Sequence, residues 1–192
     1  MKKLVVWSFL IFVNTCHALE INWYLSTKNL NAAPLSVKES YLTITSAMDK
    51  WMAVCPVKFK FSGFVNTSML AHYKEFKEPS FKTVIGWRQL LEFQSQLSGS
   101  TTLITNLVDG KVIEGHLALD PRQKYTHEEW AALLLHEVGH MIGLPHTDIP
   151  HQVMSYPYST LQHMRRLQSE DMKSCANVTN DWRNFGELNE LE

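Results

Sequence analysis

The sequence predicts an α+β fold, in which strands alternate with one long helix and a second helix follows. Two patterns carry this prediction. Residues 57–61, VKFKF, alternate apolar and polar side chains, as a half-buried strand does. Residues 37–51 instead repeat apolar side chains at steps of four and three, which is the spacing of one helical face. The chain has 192 residues, 45% of them hydrophobic. This is enough for one globular domain but leaves little room for two full domains.

The N-terminal part of the predicted domain contains a strand and a helix. Residues 20–25, EINWYL, predict the first strand. A helix should follow from about Leu35, because Pro34 suits a helix start and Cys55-Pro56 would end it. We interpret its apolar stripe as core packing; the stripe consists of Val37, Tyr41, Ile44, Met48 and Trp51.

A β-hairpin is predicted before the second helix. Residues 101–108 (TTLITNLV) and 111–120 (KVIEGHLALD) are rich in strand-forming side chains and flank Asp109-Gly110, a dipeptide typical of tight hairpin turns. Further upstream, residues 81–87 (FKTVIGW) predict another strand.

The second helix has recognisable signals at both ends. Thr126 and Glu129 form a capping-box pattern, in which hydroxyl and carboxylate each accept a hydrogen bond from a free backbone N–H group. Gly143 is placed to end the helix, because glycine adopts the left-handed conformation without steric cost.

The stretch HEVGHMIGLPH, residues 136–146, begins in the C-terminal half of this helix and extends past its end. His136 and His140 lie four residues apart, so both imidazoles project from one helical face and can bind one zinc ion. Gly143 allows the chain to turn and Pro145 prevents the helix from resuming, so His146 can return to the same ion. Three histidines leave a fourth coordination position for water, which is typical of a catalytic zinc site.

Glu137 adjoins the first of these histidines. A carboxylate there can take a proton from water at the zinc ion and pass it to the leaving amine. The pattern therefore predicts a zinc-dependent endopeptidase with Glu137 as its general base. The alternative is a catalytically weak or inactive protein that kept the fold and binds peptides, although such a protein would not need Glu137. A zinc hydrolase acting on another substrate class has no sugar- or phosphate-specific residues to support it.

Residues 136–146, HEVGHMIGLPH, match the metzincin metalloprotease pattern HExxHxxGxxH at every fixed position. Met154, in VMSYPY, resembles the methionine of the metzincin Met-turn, which forms an apolar floor under the zinc. The segments TVIGW, VIEGHLALDP and LQSEDMKSC also resemble bacterial matrixin-like proteases. The resemblance covers most of residues 20–176, closely over residues 126–158 and loosely elsewhere. It implies a metzincin-like catalytic domain: a twisted, mostly parallel mixed sheet, a backing helix, a zinc helix, a C-terminal helix, and a substrate cleft along the edge strand of the sheet.

The residues after Met154 depart from the usual matrixin pattern. Matrixins usually have Tyr-Pro directly after this methionine, whereas here Ser155 lies between Met154 and Tyr156. Met-Ser-Tyr resembles the serralysins and astacins, which implies that Tyr156 can stabilise the oxyanion; a purely structural tyrosine is the open alternative. The resemblance also implies that Tyr156, Pro157 and Tyr158 form a wall of the pocket for the residue after the scissile bond. No glycine-aspartate calcium repeats follow, so a calcium ion has no support in the sequence.

Matrixins carry a second, structural zinc, but the sequence does not predict one here. His72 and His116 are the histidines in the corresponding part of the chain, and no aspartate accompanies either at a suitable spacing. We therefore expect one catalytic zinc ion and assign these two histidines to surface or hairpin positions. The same interpretation applies to His127, His151 and His163.

Residues 1–18 have the pattern of a signal peptide, with two lysines, an apolar run and small residues before a cleavage site at Leu19. The apolar run is too short for a permanent membrane anchor. A lipoprotein signal with Cys16 as the lipidated residue is the alternative. We expect a secreted or periplasmic protein with a catalytic domain over residues 19–176 and a polar tail over residues 177–192.

Cys55 and Cys175 remain after removal of the signal peptide, and an even pair in an exported protein suggests one disulfide. Two buried free thiols are the alternative.

The charge of the chain bears on its partners. There are 18 basic and 19 acidic residues, so no basic excess suggests nucleic acid. We expect a monomer whose partner is a protein or peptide substrate. Matrixins are often held inactive by a propeptide cysteine, and the predicted mature chain has none before the first strand, because Cys16 belongs to the signal peptide. The enzyme is therefore expected to be active on export or to be restrained by a separate protein inhibitor.

Overall fold

The computed structural model describes residues 19–66, 82–88, 99–105, 112–155 and 165–178. Its strands are β1 (Leu19–Ser26), β2 (Val57–Val65), β3 (Lys82–Trp87), β4 (Gly99–Thr105) and β5 (Val112–Leu119). Its helices are α1 (Val37–Met52), α2 (His127–Met141) and α3 (Ser169–Val178), with a short 3-10 helix at Leu30–Ala32. The predicted α+β class is confirmed.

The described strands form one mixed sheet in the order β2-β1-β3-β5-β4. β1 pairs in parallel with β2 and β3, and β3 pairs in parallel with β5. β4 alone is antiparallel to its neighbour β5, as the predicted hairpin requires. The predicted turn residues Asp109 and Gly110 lie outside the described residues. Within the described sheet, β4 is therefore an edge strand.

Helix α1 begins at Val37, two residues later than the predicted start at about Leu35, after a capping box that the sequence analysis missed. The Ser36 backbone N–H donates to the Glu39 carboxylate at 2.8 Å, and the Glu39 N–H donates to the Ser36 hydroxyl at 3.2 Å. Val37 was predicted to be buried but is exposed. The buried face includes small polar residues instead, because the Thr43 hydroxyl donates to the Glu39 carbonyl at 2.7 Å within the helix. That face consists of Ser40, Thr43, Ile44, Ala47, Met48 and Trp51.

The core joins α1, α2 and the sheet. The buried Trp51 indole donates to the Leu135 carbonyl of α2 at 2.8 Å, which ties the two helices together. Trp87 of β3 and Trp130 of α2 pack edge to face with ring centroids 4.9 Å apart. Helix α2 also contacts β4 and β5. The second helix is thus held against the edge of the sheet.

A disulfide joins Cys55, just after α1, to Cys175 in α3. The two Cα atoms are 5.5 Å apart and the residues are separated by 120 positions. The alternative of two free thiols is therefore wrong. The bond ties α3 to the chain just after the end of α1.

Two predicted segments lie wholly or largely outside the described residues: the signal peptide at residues 1–18 and the tail at residues 177–192, of which α3 covers the first two. No helix in the described part of the chain has both the length and the apolarity needed to cross a membrane.

Candidate metal centre

Helix α2 begins and ends as the sequence predicts. The Thr126–Glu129 capping box is formed at its N-terminus. At its C-terminus Gly143 has φ 94°, and its N–H donates to the His140 carbonyl at 2.9 Å while the Leu144 N–H donates to Gly139 at 3.0 Å. This pair of hydrogen bonds is the Schellman motif, which reverses the chain after a helix. The reversal brings the next segment, with His146, back toward the helix.

The three predicted histidines converge through their Nε2 atoms. Nε2 of His140 lies 3.0 Å from Nε2 of His136 and 3.1 Å from Nε2 of His146. Their ligand atoms all lie within 4.8 Å of one another, and within the described ranges this is the group of potential ligands that can hold a metal ion.

Backbone carbonyls determine which nitrogen of two of these rings carries the proton. Nδ1 of His136 lies 2.6 Å from the Val153 oxygen, and Nδ1 of His140 lies 2.7 Å from the Leu144 oxygen. A carbonyl oxygen only accepts, so both Nδ1 atoms donate and both neutral rings present a lone pair at Nε2. Such second partners typically orient metal-binding histidines.

A zinc ion fits this arrangement. Two Nε2 lone pairs 3.0 Å apart repel each other unless a cation lies between them. Tetrahedral zinc with bonds of about 2.0–2.1 Å holds its nitrogen ligands about 3.3 Å apart, close to the spacing found here. The donor set of three imidazoles is also one that zinc prefers.

The environment keeps these rings neutral. Burial, followed by the neighbouring His140, lowers the pKa of His136 to about 3. Burial, followed by His146, lowers the pKa of His140 to about 4. Both rings therefore offer Nε2 as a ligand atom near neutral pH, without a proton to displace.

The Glu137 carboxylate lies against β4. The Thr101 hydroxyl is 2.6 Å from Glu137 Oε2 and 3.2 Å from the Glu137 carbonyl oxygen. Gly99, two residues earlier in the strand, is so close that a Cβ atom there would lie 2.8 Å from Oε1. Glu137 is only 1% exposed. The predicted general base is thus enclosed between β4 and α2.

The Met-turn, defined here as residues 152–155, lies beneath α2. Its Ser155 N–H donates to the Gln152 carbonyl at 3.2 Å, and the Met154 carbonyl accepts from the Thr147 N–H at 2.8 Å. The buried Met154 sulfur contacts α2 at Gly139, where a Cβ atom would overlap it. The turn also supplies, through Val153, the carbonyl that orients His136, so it adjoins the metal centre.

Asp171 of α3 connects that helix to the Met-turn. Its carboxylate accepts from the backbone N–H groups of Val153 at 3.1 Å, Met154 at 3.3 Å and Gln168 at 2.8 Å. The side chain is buried, with the residue 2% exposed. Helix α3 therefore supports the Met-turn, and the Met-turn orients His136.

The structure assigns positions to the other predicted residues. His116 lies in the hairpin strand β5, which is the hairpin position of the two predicted alternatives, and it is buried there. His127 begins α2 and is exposed, and His151 is exposed with φ 66°. Several predicted residues lie outside the described residues: His72, Tyr156, Pro157, Tyr158 and His163.

Some residues around the site were not predicted from the sequence. Asp171 falls within the segment LQSEDMKSC, whose resemblance to matrixins was the available signal. No local pattern distinguishes Gly99 and Thr101, because their importance depends on pairing with a helix far along the chain.

Comparison with known proteins identifies the family. The model of the family described as matrixin matches residues 15–178. The chain belongs to the matrixin family. Matrixins are zinc metallopeptidases, and the three-histidine site of this matrixin-like metzincin fits the metal that the family binds. A search of curated proteins finds no match.

Among solved structures, this matrixin is similar to metalloproteinase-II from Bacteroides fragilis. The two share 16% sequence identity, with a TM-score of 0.51 over 83% of this chain and 54% of that chain. The similarity supports the same metallopeptidase fold. The matrixin chain thus matches about half the length of that protein.

Proposed function

We propose that this matrixin is an exported, zinc-dependent endopeptidase. The observation that carries the proposal is the convergence of three Nε2 atoms at 3.0 and 3.1 Å, next to a glutamate on the same helix. A structural zinc site usually has four protein ligands, whereas three histidines leave a position for water and substrate.

His136, His140 and His146 would hold the ion. Bound zinc supplies a Lewis acid that polarises the scissile carbonyl and makes water more acidic. Glu137 accepts the proton that the attacking water loses and returns it to the leaving nitrogen. The Val153 and Leu144 carbonyls keep two of the rings aimed at the ion.

We further propose that the substrate is an extended peptide bound along β4. β4 is the antiparallel edge of the described sheet, and an extended peptide can pair with such an edge through its backbone. The strand also carries the residues that contact Glu137, so a peptide along it would pass close to the carboxylate. The pocket wall at Tyr156, Pro157 and Tyr158, and a role of Tyr156 at the oxyanion, stay predictions from the sequence.

Export is supported by the Cys55–Cys175 disulfide, since such bonds persist in oxidising compartments. It is also consistent with the signal-peptide pattern at residues 1–18.

The test compares the mature chain from Leu19 with its Glu137→Ala variant. Zinc content per chain is measured first, and both proteins then receive a mixed peptide library that is analysed by mass spectrometry. We expect one zinc in each protein and a rate about 100- to 10,000-fold lower in the variant, because general base catalysis contributes about that much.

The matched control is Glu128→Ala, which removes an exposed glutamate of the same helix. Its cleavage rate should equal that of the unmodified protein. Cleavage by Glu137→Ala at the normal rate would overturn the assignment of the base. One zinc per chain with no cleavage by any of the proteins would instead favour a peptide-binding protein.

A further inference from the structure

Thr101 of β4 makes a polar contact with the Glu137 carboxylate. Its hydroxyl has one proton and two candidate acceptors, Oε2 at 2.6 Å and the Glu137 carbonyl oxygen at 3.2 Å. The carboxylate oxygen is the closer of the two, at a distance typical of hydroxyl–carboxylate bonds, which are about 2.5–2.7 Å long. The proton therefore points to Oε2.

Gly99 provides the space in which this contact forms. It lies two residues before Thr101, and alternate residues of a strand share one face. A Cβ atom on Gly99 would lie 2.8 Å from Oε1 and 3.0 Å from both Cγ and Cδ of Glu137. Contacts below about 3.0 Å force a shift, so the carboxylate can occupy this position only because residue 99 is a glycine.

We propose that Thr101 is a positioning residue for the general base, and that Gly99 and Thr101 together hold the Glu137 carboxylate in one orientation. The inference rests on the proposed peptidase function. A long glutamate side chain loses rotamer freedom on burial, and a fixed hydrogen bond selects one rotamer before substrate arrives. Because β4 is also the proposed peptide-binding edge, the same strand aligns the substrate and the base.

The test uses three variants of the mature, zinc-loaded protein. Thr101→Val removes the hydroxyl while keeping the shape of the side chain. Thr101→Ser restores the hydroxyl, and Gly99→Ala adds the Cβ atom. Each is examined for zinc content, kcat and KM with a peptide found in the library experiment, and a crystal structure.

We expect Thr101→Val to lower kcat by about tenfold to a hundredfold, the equivalent of one charged hydrogen bond, with KM and zinc content nearly unchanged. Thr101→Ser should recover most of the lost kcat, which a purely structural role of the threonine methyl group would not allow. Gly99→Ala should lower kcat as well. Both damaging variants should show Glu137 displaced in the crystal.

The control is Thr43→Val in α1, which removes a threonine hydroxyl that donates to a carbonyl at 2.7 Å away from the site. It should leave kcat unchanged. Thr101→Val with kcat within twofold of normal, or with Glu137 unmoved in the crystal, would overturn the inference. If the unmodified protein cleaves no peptide, the proposed function fails, and the position of Glu137 in the crystals still decides whether Thr101 and Gly99 hold it.

Discussion

Replacing Asp171 by alanine should weaken both the fold and the metal centre. The buried Asp171 carboxylate accepts hydrogen bonds from the backbone N–H groups of Val153 and Met154 in the Met-turn. Without it, these two donors stay inside the protein with no acceptor. Each buried unsatisfied donor costs about 1–3 kcal/mol, so the free energy of unfolding should fall by about 2–6 kcal/mol.

The effect on the metal follows from the same hydrogen bonds. Asp171 fixes the turn, and the Val153 carbonyl of that turn accepts from Nδ1 of His136. Loss of a group that hydrogen-bonds a ligand histidine typically weakens metal binding about 10- to 100-fold, and displacing the turn would displace the Val153 carbonyl that has this role. We therefore expect the zinc dissociation constant of Asp171→Ala to rise by about that factor.

The assay combines denaturant unfolding of the metal-free protein with zinc competition against a chromophoric chelator. Glu170→Ala is the matched control, because Glu170 precedes Asp171 in α3 but makes an exposed pair with Lys173. Such surface pairs contribute about 0–1 kcal/mol. If Asp171→Ala matches Glu170→Ala in both unfolding free energy and zinc affinity, the proposed support of the Met-turn by α3 is wrong.

Three further predictions concern packing, pH and the disulfide. Gly139→Ala should destabilise the protein by about 1–3 kcal/mol through overpacking, since its Cβ atom would overlap the sulfur of the Met-turn methionine; thermal unfolding measures this. The metal-free protein should lose stability as pH falls below about 6.5, because His136 and His140 protonate in the unfolded chain first, with folded pKa values of about 3 and 4. The slope is about 1.4 kcal/mol per pH unit for each histidine, measured by denaturant unfolding between pH 7 and pH 5. Replacing Cys55 and Cys175 by serine together should lower the free energy of unfolding by about 2–5 kcal/mol, measured against the oxidised protein.

Each of these predictions has a contradicting result. A Gly139→Ala variant as stable as the unmodified protein would mean that the methionine repacks without cost. Equal stability of the metal-free protein at pH 7 and pH 5 would contradict the lowered histidine pKa values. Reducing agent should reproduce the double serine variant in the unmodified protein; a stability unaffected by reductant would show that the disulfide contributes nothing.

The elements that the sequence predicted well are those determined by local interactions. The capping box at Thr126, the helix end at Gly143 and the hairpin strands all depend on side chains within a few residues of one another. The start of α1 was predicted at about Leu35 because the Ser36–Glu39 capping box was missed, although it too is local. Its buried face was misassigned at Val37 because hydroxyl side chains bonded within a helix can also be buried.

The sequence by itself determined the candidate ligands, the candidate general base and their order along one helix and its reversal, because helical geometry and a glycine turn act over a few residues. Only the tertiary structure decided what surrounds them. The contact of Thr101 with Glu137 spans 36 positions and that of Val153 with His136 spans 17. Such contacts depend on which strand forms the sheet edge and on how α3 packs under the turn, and burial of the whole core decides both.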